Sequence, residues 1–302
     1  MPETTVLIPA YNCGKYVKET LDSVLKQKYR DYEILIIDDG STDDTVQVIE
    51  DYKSKKIRYL KNTENAGIVE TLNKGLKMAN GEFIARMDAD DVMLGNRLEN
   101  QVSFLKQNAA YGMVGGWYNI MNENGYLLNT SRTHQDPDFL RLGLIFRNQF
   151  AHPAITMRTS VAEKLKYDPE FQYCEDHDLW IRFSEVCKVT NLPEIYLSYR
   201  WYSGNSCNRK QKELKTAVLS LLSRELDKLN IPHSPEELML HGAVSFGLGP
   251  KLFIATEKRK ELLAWYDKVF SSSVLNERYE HNWILSFRGE IQRRYCGIED
   301  YV

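Results

Sequence analysis

The residues of this chain that point most directly to chemistry are Arg86-Met-Asp-Ala-Asp-Asp91, an acidic string placed just after the apolar run Phe83-Ile-Ala85. In an extended segment, residues two apart point the same way, so Asp88 and Asp90 face one ion if strand geometry persists past the apolar run. Carboxylates sharing a low-dielectric pocket raise each other's pKa unless a cation or hydrogen-bond donors offset the repulsion. Oxygen-only ligands favour a hard divalent ion, magnesium, manganese or calcium, over zinc. Taken alone, the triplet serves equally well to cap the next helix or to stand in solvent on a turn.

Other reactive types gather in short stretches. Glu175-Asp-His-Asp178 opens a helical pattern that runs to Val186, and acids at a helix N-terminus also favour the helix itself. Successive helical positions face different directions, so these acids cannot all reach one group. The doublet Asp38-Asp39 precedes Gly40, which leaves one acid for a ligand and the other for the turn. Trp117 and Trp180 are candidates to stack on a ligand ring, although Trp180 sits at helical spacing among Leu179, Ile181 and Phe183 as a core residue would. Cys13, Cys174, Cys187, Cys207 and Cys296 lack any Cys-x-x-Cys spacing and read as reduced thiols.

These groups need a frame, and the first part of the chain supplies one. Strand-like runs at Thr4–Ile8, Glu33–Ile37, Ile57–Leu60 and Phe83–Ala85 alternate with helical patterns near Tyr16–Lys26, Thr45–Tyr52 and Val69–Ala79. That alternation predicts βαβ units and a mostly parallel sheet covered on both faces. Ser41 followed by Asp44 resembles a helix-capping arrangement, and Asn80-Gly81 a helix stop. Ligands of open α/β sheets sit beyond the carboxyl ends of the strands. The segments there, Pro9–Asn12, Asp38–Thr42, Lys61–Gly67 and Asp88–Asp91, are all polar and converge on one edge.

Further on come Gly115-Gly-Trp-Tyr118, a strand expected at Ala154–Met157, and a helix over Asp176–Val186. From about Lys210 the period turns helical, with Leu219, Leu222 and Leu226 on one face and further amphipathic runs at Glu236–Phe246 and Glu261–Phe270. The chain of 302 residues, 43% hydrophobic, is ordinary for a folded globular protein. Its formal net charge of -3 gives no general reason to expect nucleic acid, whose binders usually show a basic face. Met1-Pro-Glu-Thr leads straight into a strand, so a cytoplasmic location is expected. Lys258-Arg-Lys260 and Arg293-Arg294 read as a solvated helix surface or as a peripheral contact at the inner face of the plasma membrane.

In five motifs the chain resembles the family 2 glycosyltransferases of the GT-A fold. They are Val6-Leu-Ile-Pro-Ala-Tyr-Asn12, Ile34-Leu-Ile-Ile-Asp-Asp-Gly-Ser-Thr-Asp43, Asn65-Ala-Gly67, Arg86-Met-Asp-Ala-Asp-Asp91 and Glu175-Asp-His-Asp-Leu-Trp180. The resemblance implies a Rossmann-like GT-A domain over residues 1–209, with a nucleotide-sugar half to about residue 95 and an acceptor half after it. Residues 210–302 form a helical C-terminal region that the motifs do not reach.

The implied activity is inverting transfer of a hexosyl or N-acetylhexosaminyl group from a UDP-sugar to a saccharide or lipid-linked acceptor, in bacterial surface polysaccharide synthesis, with Mn2+ or Mg2+. A nucleotidyltransferase, a sugar-nucleotide hydrolase or a binding module without turnover would share the metal and nucleotide loops. By the same resemblance Asp90 is the metal ligand, and Asp88 contacts the ribose or the metal through water. Asp91 either joins them or caps the next helix. Asp39 meets the uracil, the backbone of Pro9, Ala10 and Tyr11 cradles the base, and Asn65 to Gly67 closes over the nucleoside. Arg86 pairs with the diphosphate or with the acids beside it.

Asp176 is the implied catalytic base, with Glu175 and Asp178 supporting it and His152, His177 and Trp117 near the acceptor. Where relatives carry Tyr-Arg-x-His, this chain has Tyr199-Arg-Trp-Tyr202, so a metal or diphosphate contact is missing or replaced. Arg200 is expected to reach the diphosphate, and Asn205 and Ser206 to lie on a closing loop.

Overall fold

A computed structural model describes residues 1–52, 54–202, 204, 210–246 and 256–296, and the expected closing residues Asn205 and Ser206 lie outside them. The chain forms two compact units, Met1–Gln135 with Phe150–Arg209, and Asp136–Gln149 with Lys210–Val302.

In the first unit the strands are β1 (Thr4–Ala10), β2 (Tyr32–Asp38), β3 (Ile57–Lys61), β4 (Phe83–Arg86), β5 (Val92–Met93), β6 (Tyr111–Met121), β7 (Leu127–Ser131), β8 (Thr156–Arg158) and β9 (Lys188–Arg200). They make one sheet in the order β3-β2-β1-β4-β8-β6-β9-β5, with β7 paired to β6. Pairing is parallel from β3 through β4 and between β6 and β9, and antiparallel at β4–β8, β6–β8, β6–β7 and β5–β9. Its helices are α1 (Gly14–Leu25), α2 (Thr45–Glu50), α3 (Ile68–Met78), α4 (Arg97–Gln107), α6 (Thr159–Leu165) and α7 (Glu175–Val186), with α5 (Pro137–Gly143) in the second unit. This is the GT-A fold.

Every residue of β1 is buried, as expected of a central parallel strand covered on both faces. Register sets the site. Ala10 lies beside Asp38 and Asp38 beside Lys61, so the loops after β1, β2 and β3 leave the sheet at one level. Arg86 pairs with Leu7, three positions earlier in β1, and the acidic string continues beyond β4 along that same edge.

Two local expectations change. The segment expected as a strand at Ala154–Met157 begins as a 3-10 turn at His152–Ala154, where Pro153 has no N–H to give a ladder, and pairing starts only at Thr156. Ser41 does not cap α2. Its hydroxyl donates to Asp38 Oδ1 at 2.5 Å, and Asp43 Oδ1 accepts from the Thr45 N–H and hydroxyl instead.

The second unit continues with α8 (Gln211–Lys228), α9 (Pro235–Ser245), α10 (Thr256–Phe270), α11 (Ser273–Arg278) and α12 (His281–Cys296). On α8 the buried stripe is Val218, Leu221, Leu222 and Leu226, with Leu219 half-buried on its flank. Asp136–Gln149, expected with the acceptor half, groups here because Phe139, Leu142, Ile145 and Phe146 pack into one core with Leu226, Trp265, Phe270 and Phe287. His241 is enclosed in that core between the Ile145 carbonyl and the Trp265 indole N–H, and burial pushes its pKa down to about 4. A capping box between Ser234 and Glu237 starts α9, with Pro235 at the first turn. Lys258 is exposed and pairs with Glu261; the Arg294 side chain lies outside the described residues. Among the described residues no helix is long and apolar enough to cross a membrane, and Cys13 and Cys187 form no disulfide.

Candidate active site

The carboxylates of Asp88, Asp90 and Asp91 offer oxygens that all lie within 4.8 Å of one another. Donors from three other residues engage one oxygen of each acid. Arg86 Nη2 bridges to Asp88 Oδ1 at 2.7 Å, the Tyr202 hydroxyl donates to Asp90 Oδ2 at 3.2 Å, and the Arg200 backbone N–H donates to Asp91 Oδ1 at 2.8 Å. These donors do not offset the crowding. Burial, and then the charge of Asp88, pushes Asp90 up to about 6. Burial, followed by Asp90 and Asp88, holds Asp91 well above the usual carboxylate range.

Asp91 Oδ2 is buried with no hydrogen-bond partner, which is the observation that tests the site for a cation. A buried, unpartnered carboxylate oxygen beside two more acids fits an oxygen-liganded divalent ion, which would relieve both the repulsion and the lost solvation. Asp91 is not a helix cap. The next helix, α4, starts at Arg97 behind Asn96, and Asp91 is held by β9 instead.

Arg200 needs correction as a diphosphate contact. Its guanidinium is enclosed, donating to the carbonyls of Asp90 at 2.7 Å and Glu123 at 3.0 Å and to the Glu19 carboxylate at 2.5 Å, with the Tyr16 ring 4.5 Å away. It therefore braces the backbone of the acidic string.

A second buried cation, which the sequence did not single out, does similar work from α4. Arg97 donates to the carbonyls of Arg86, Pro153 and Ile155 at 2.6 to 2.8 Å, and burial pushes it down to about 9. Arg86 itself is buried, and its Nε and Nη1 have no partner.

At the other end of the edge, Pro9 and Ala10 finish β1 inside the sheet, while Tyr11 is exposed. Asp38 turns inward, accepting from the Ser41 N–H and hydroxyl and from the Tyr59 hydroxyl. Asp39 turns to the loop after β3. Its Oδ1 accepts from Asn62 Nδ2 and the Ala66 N–H, both at 2.8 Å, and its Oδ2 from the Gly67 N–H at 2.9 Å. Asn65 stands exposed on that loop. Gly40 and Gly67 adopt positive φ of 81° and 89°. A Cβ on Gly40 would sit 3.0 Å from the Glu64 carbonyl carbon, so only glycine lets the two loops approach.

The start of α7 brings a third group of acids to this unit. Glu175 is buried, its Oε2 has no partner, and burial followed by the Asp176 charge pushes it up to about 7. Asp176 is half-buried, with Oδ1 accepting the His177 N–H at 2.7 Å. Tyr173, two residues ahead, holds a φ of 78°, a left-handed conformation costly for a bulky residue. The field of Arg86 acts on Asp90, Asp91, Glu175 and His152, so the acids of the string and of α7 share one electrostatic neighbourhood.

Asp178 does not join that group. It is fully buried and bridges to Arg182 at 2.5 Å, and Arg182 also donates to the carbonyls of Leu165 and Lys166, which turns Asp178 toward α6. His152 meets the Tyr167 hydroxyl at 2.8 Å and lies edge-on to Trp180; burial, then Arg86, holds its pKa well below the usual value. His177 and Trp180 are core residues. Trp117, on β6, donates to the Thr133 carbonyl at 3.1 Å beneath the Arg132 guanidinium.

Known proteins resemble this chain in sequence and in fold. The family described as Glycosyl transferase family 2 matches residues 5–164. The chain is 30% identical over 227 residues to an uncharacterized glycosyltransferase of Haemophilus influenzae, covering 70% of each chain. It is also 30% identical over 219 residues to the Escherichia coli UDP-Glc:alpha-D-GlcNAc-diphosphoundecaprenol beta-1,3-glucosyltransferase WfaP, covering 71% of this chain and 83% of that one. Among solved structures, S. aureus TarS 1-349 in complex with UDP-GlcNAc superposes with a TM-score of 0.60 at 20% identity, covering 96% of this chain and 91% of TarS 1-349.

Proposed function

This chain belongs to glycosyl transferase family 2, and from that premise we propose that it moves a hexosyl or N-acetylhexosaminyl group from a UDP-sugar to a hydroxyl of a saccharide or lipid-linked acceptor, with inversion and with a divalent cation. The observation that carries the metal part is the unpartnered Asp91 Oδ2 beside Asp88 and Asp90. Relatives named for UDP-Glc and a diphosphoundecaprenol-linked acceptor, and a structural neighbour bound to UDP-GlcNAc, support the donor and acceptor classes.

In this reading Asp90 and Asp88 would hold Mn2+ or Mg2+, with the unpartnered Asp91 Oδ2 as a third oxygen open to the ion. When bound, the ion neutralises charge that develops on the diphosphate as the glycosidic bond breaks. Pro9, Ala10 and Tyr11 line the base, and Asp39 meets the uracil while fixing the loop from Asn65 to Gly67 that faces the nucleoside. Asp176 takes the proton from the acceptor hydroxyl as its oxygen attacks the anomeric carbon from the face opposite the leaving UDP, which inverts that centre. Glu175, whose buried Oε2 has no partner, and Arg86, whose Nε and Nη1 have none, contribute polar wall beside the transferred sugar. Work on a lipid-linked acceptor would place the enzyme at the cytoplasmic face of a membrane during polysaccharide synthesis, with Lys258 to Lys260 offering the peripheral contact.

A screen of UDP-sugars by UDP release, with and without Mn2+, tests the proposal. Release that needs both an acceptor and the cation supports transfer. Free sugar formed without acceptor would instead make the protein a hydrolase, and pyrophosphate a nucleotidyltransferase.

A further inference from the structure

Tyr202 stands just past the end of β9, where its hydroxyl reaches Asp90 Oδ2 at 3.2 Å. Its ring packs 5.3 Å from that of Tyr16, and Tyr16 in turn lies under the Arg200 guanidinium, so the phenol is seated in a stack anchored to the acidic string itself. The other two acids are treated the same way. Arg86 occupies Asp88 Oδ1, and the Arg200 N–H occupies Asp91 Oδ1. Each carboxylate therefore has one oxygen engaged by a donor of this chain.

We propose that Tyr202 sets which divalent cation the site accepts, by holding Asp90 to a single ligand oxygen. This rests on the reading of Asp90 as a metal ligand. Calcium takes six to eight oxygens and readily uses carboxylates through both oxygens, whereas magnesium demands a compact octahedron and keeps waters and phosphate oxygens in its shell. Chelation by both oxygens of Asp90 must displace the phenol, and the equivalent arrangement at Asp88 must displace Arg86. A site built of single-oxygen acids thus favours Mg2+ and Mn2+ over Ca2+. The hydroxyl of Tyr202 is the part of this filter that can be removed without removing charge.

Mn2+ binding to the full chain with UDP, followed by electron paramagnetic resonance and by Ca2+ competition, tests this in wild type, Tyr202→Phe and Asp90→Asn. Loss of a group supporting a metal ligand lowers affinity about tenfold or more, and Tyr202→Phe should weaken Mn2+ on that scale. It should weaken Ca2+ less, narrowing the preference for Mn2+ by about fivefold, while affinity for UDP without cation stays within about twofold. An unchanged Mn2+ to Ca2+ ratio in Tyr202→Phe overturns the assignment of Tyr202 alone. Mn2+ that fails to bind wild type, or that binds Asp90→Asn equally well, overturns the metal reading beneath it.

Discussion

The backbone N–H of Arg200 donates to Asp91 Oδ1 at 2.8 Å across 109 positions of sequence, and the guanidinium of the same residue holds the Asp90 carbonyl at 2.7 Å. One residue thus fixes both the side chain of one acid and the backbone of the acid before it. Arg200→Lys keeps the charge but loses the planar fork that serves Asp90, Glu123 and Glu19 together. The substitution should cost about 3 kcal/mol in urea unfolding and lower transfer about tenfold or more. A stable variant with wild-type turnover would show that the brace is dispensable.

The pH dependence of stability follows from Glu175. Its folded pKa is raised to about 7, so the folded state keeps a proton that the unfolded chain releases near the ordinary value of 4.5. Stability tied to this group is complete below the unfolded value and is lost as pH rises through about 7. Glu175→Gln should accordingly leave unfolding free energy unchanged at pH values below 4.5 and raise it by about 1 to 2 kcal/mol at about pH 8. Equal effects at both pH values would contradict the assignment.

Asp90 and Asp91 carry the same sign, both raised, so the cation-free protein also loses stability as pH climbs through about 6. A divalent cation offsets that repulsion only once the acids are ionised. Mn2+ at about a hundredfold over its Kd should stabilise the protein by about 2.7 kcal/mol near neutral pH and far less under acid conditions. Thermal melts with and without Mn2+ at the two pH values check this, and Asp90→Asn should abolish the difference.

Asp39 makes a local prediction. Its carboxylate accepts from the N–H groups of Ala66 and Gly67, so it orders the loop assigned to the nucleoside. Asp39→Ala should accelerate hydrogen exchange at those two amides and weaken UDP binding about tenfold, by loss of charge-assisted hydrogen bonds. Protected amides in the variant would mean that the loop is held by something else.

Much of this was legible from sequence because the relevant signals are local. Strands buried on both faces read as unbroken apolar runs, and the polar segments after them had to meet where parallel strands end together. What escaped depends on partners far apart in the chain. Nothing near Asp91 reveals that β9 will take its side chain, so a capping role stayed open that the structure removes. Arg200 looked available for diphosphate because sequence does not display the carbonyls of Asp90 and Glu123 that enclose it. Asp178 shared a motif with Asp176, yet Arg182 one helical turn later draws it to the other side of α7. The sequence pattern also split Asp136–Gln149 from its core partners, since the helices it packs with come about a hundred residues later.

The proposed division of labour, Asp176 as base and Asp90 for the cation, is read out by the rate of sugar transfer by Asp176→Asn. The substrates would be the UDP-sugar and the acceptor that support turnover in the donor screen, with Mn2+–UDP affinity measured on the same sample. Loss of the base should lower the rate by about a thousandfold while affinity for Mn2+–UDP stays within about twofold. Transfer within about tenfold of wild type would contradict the account.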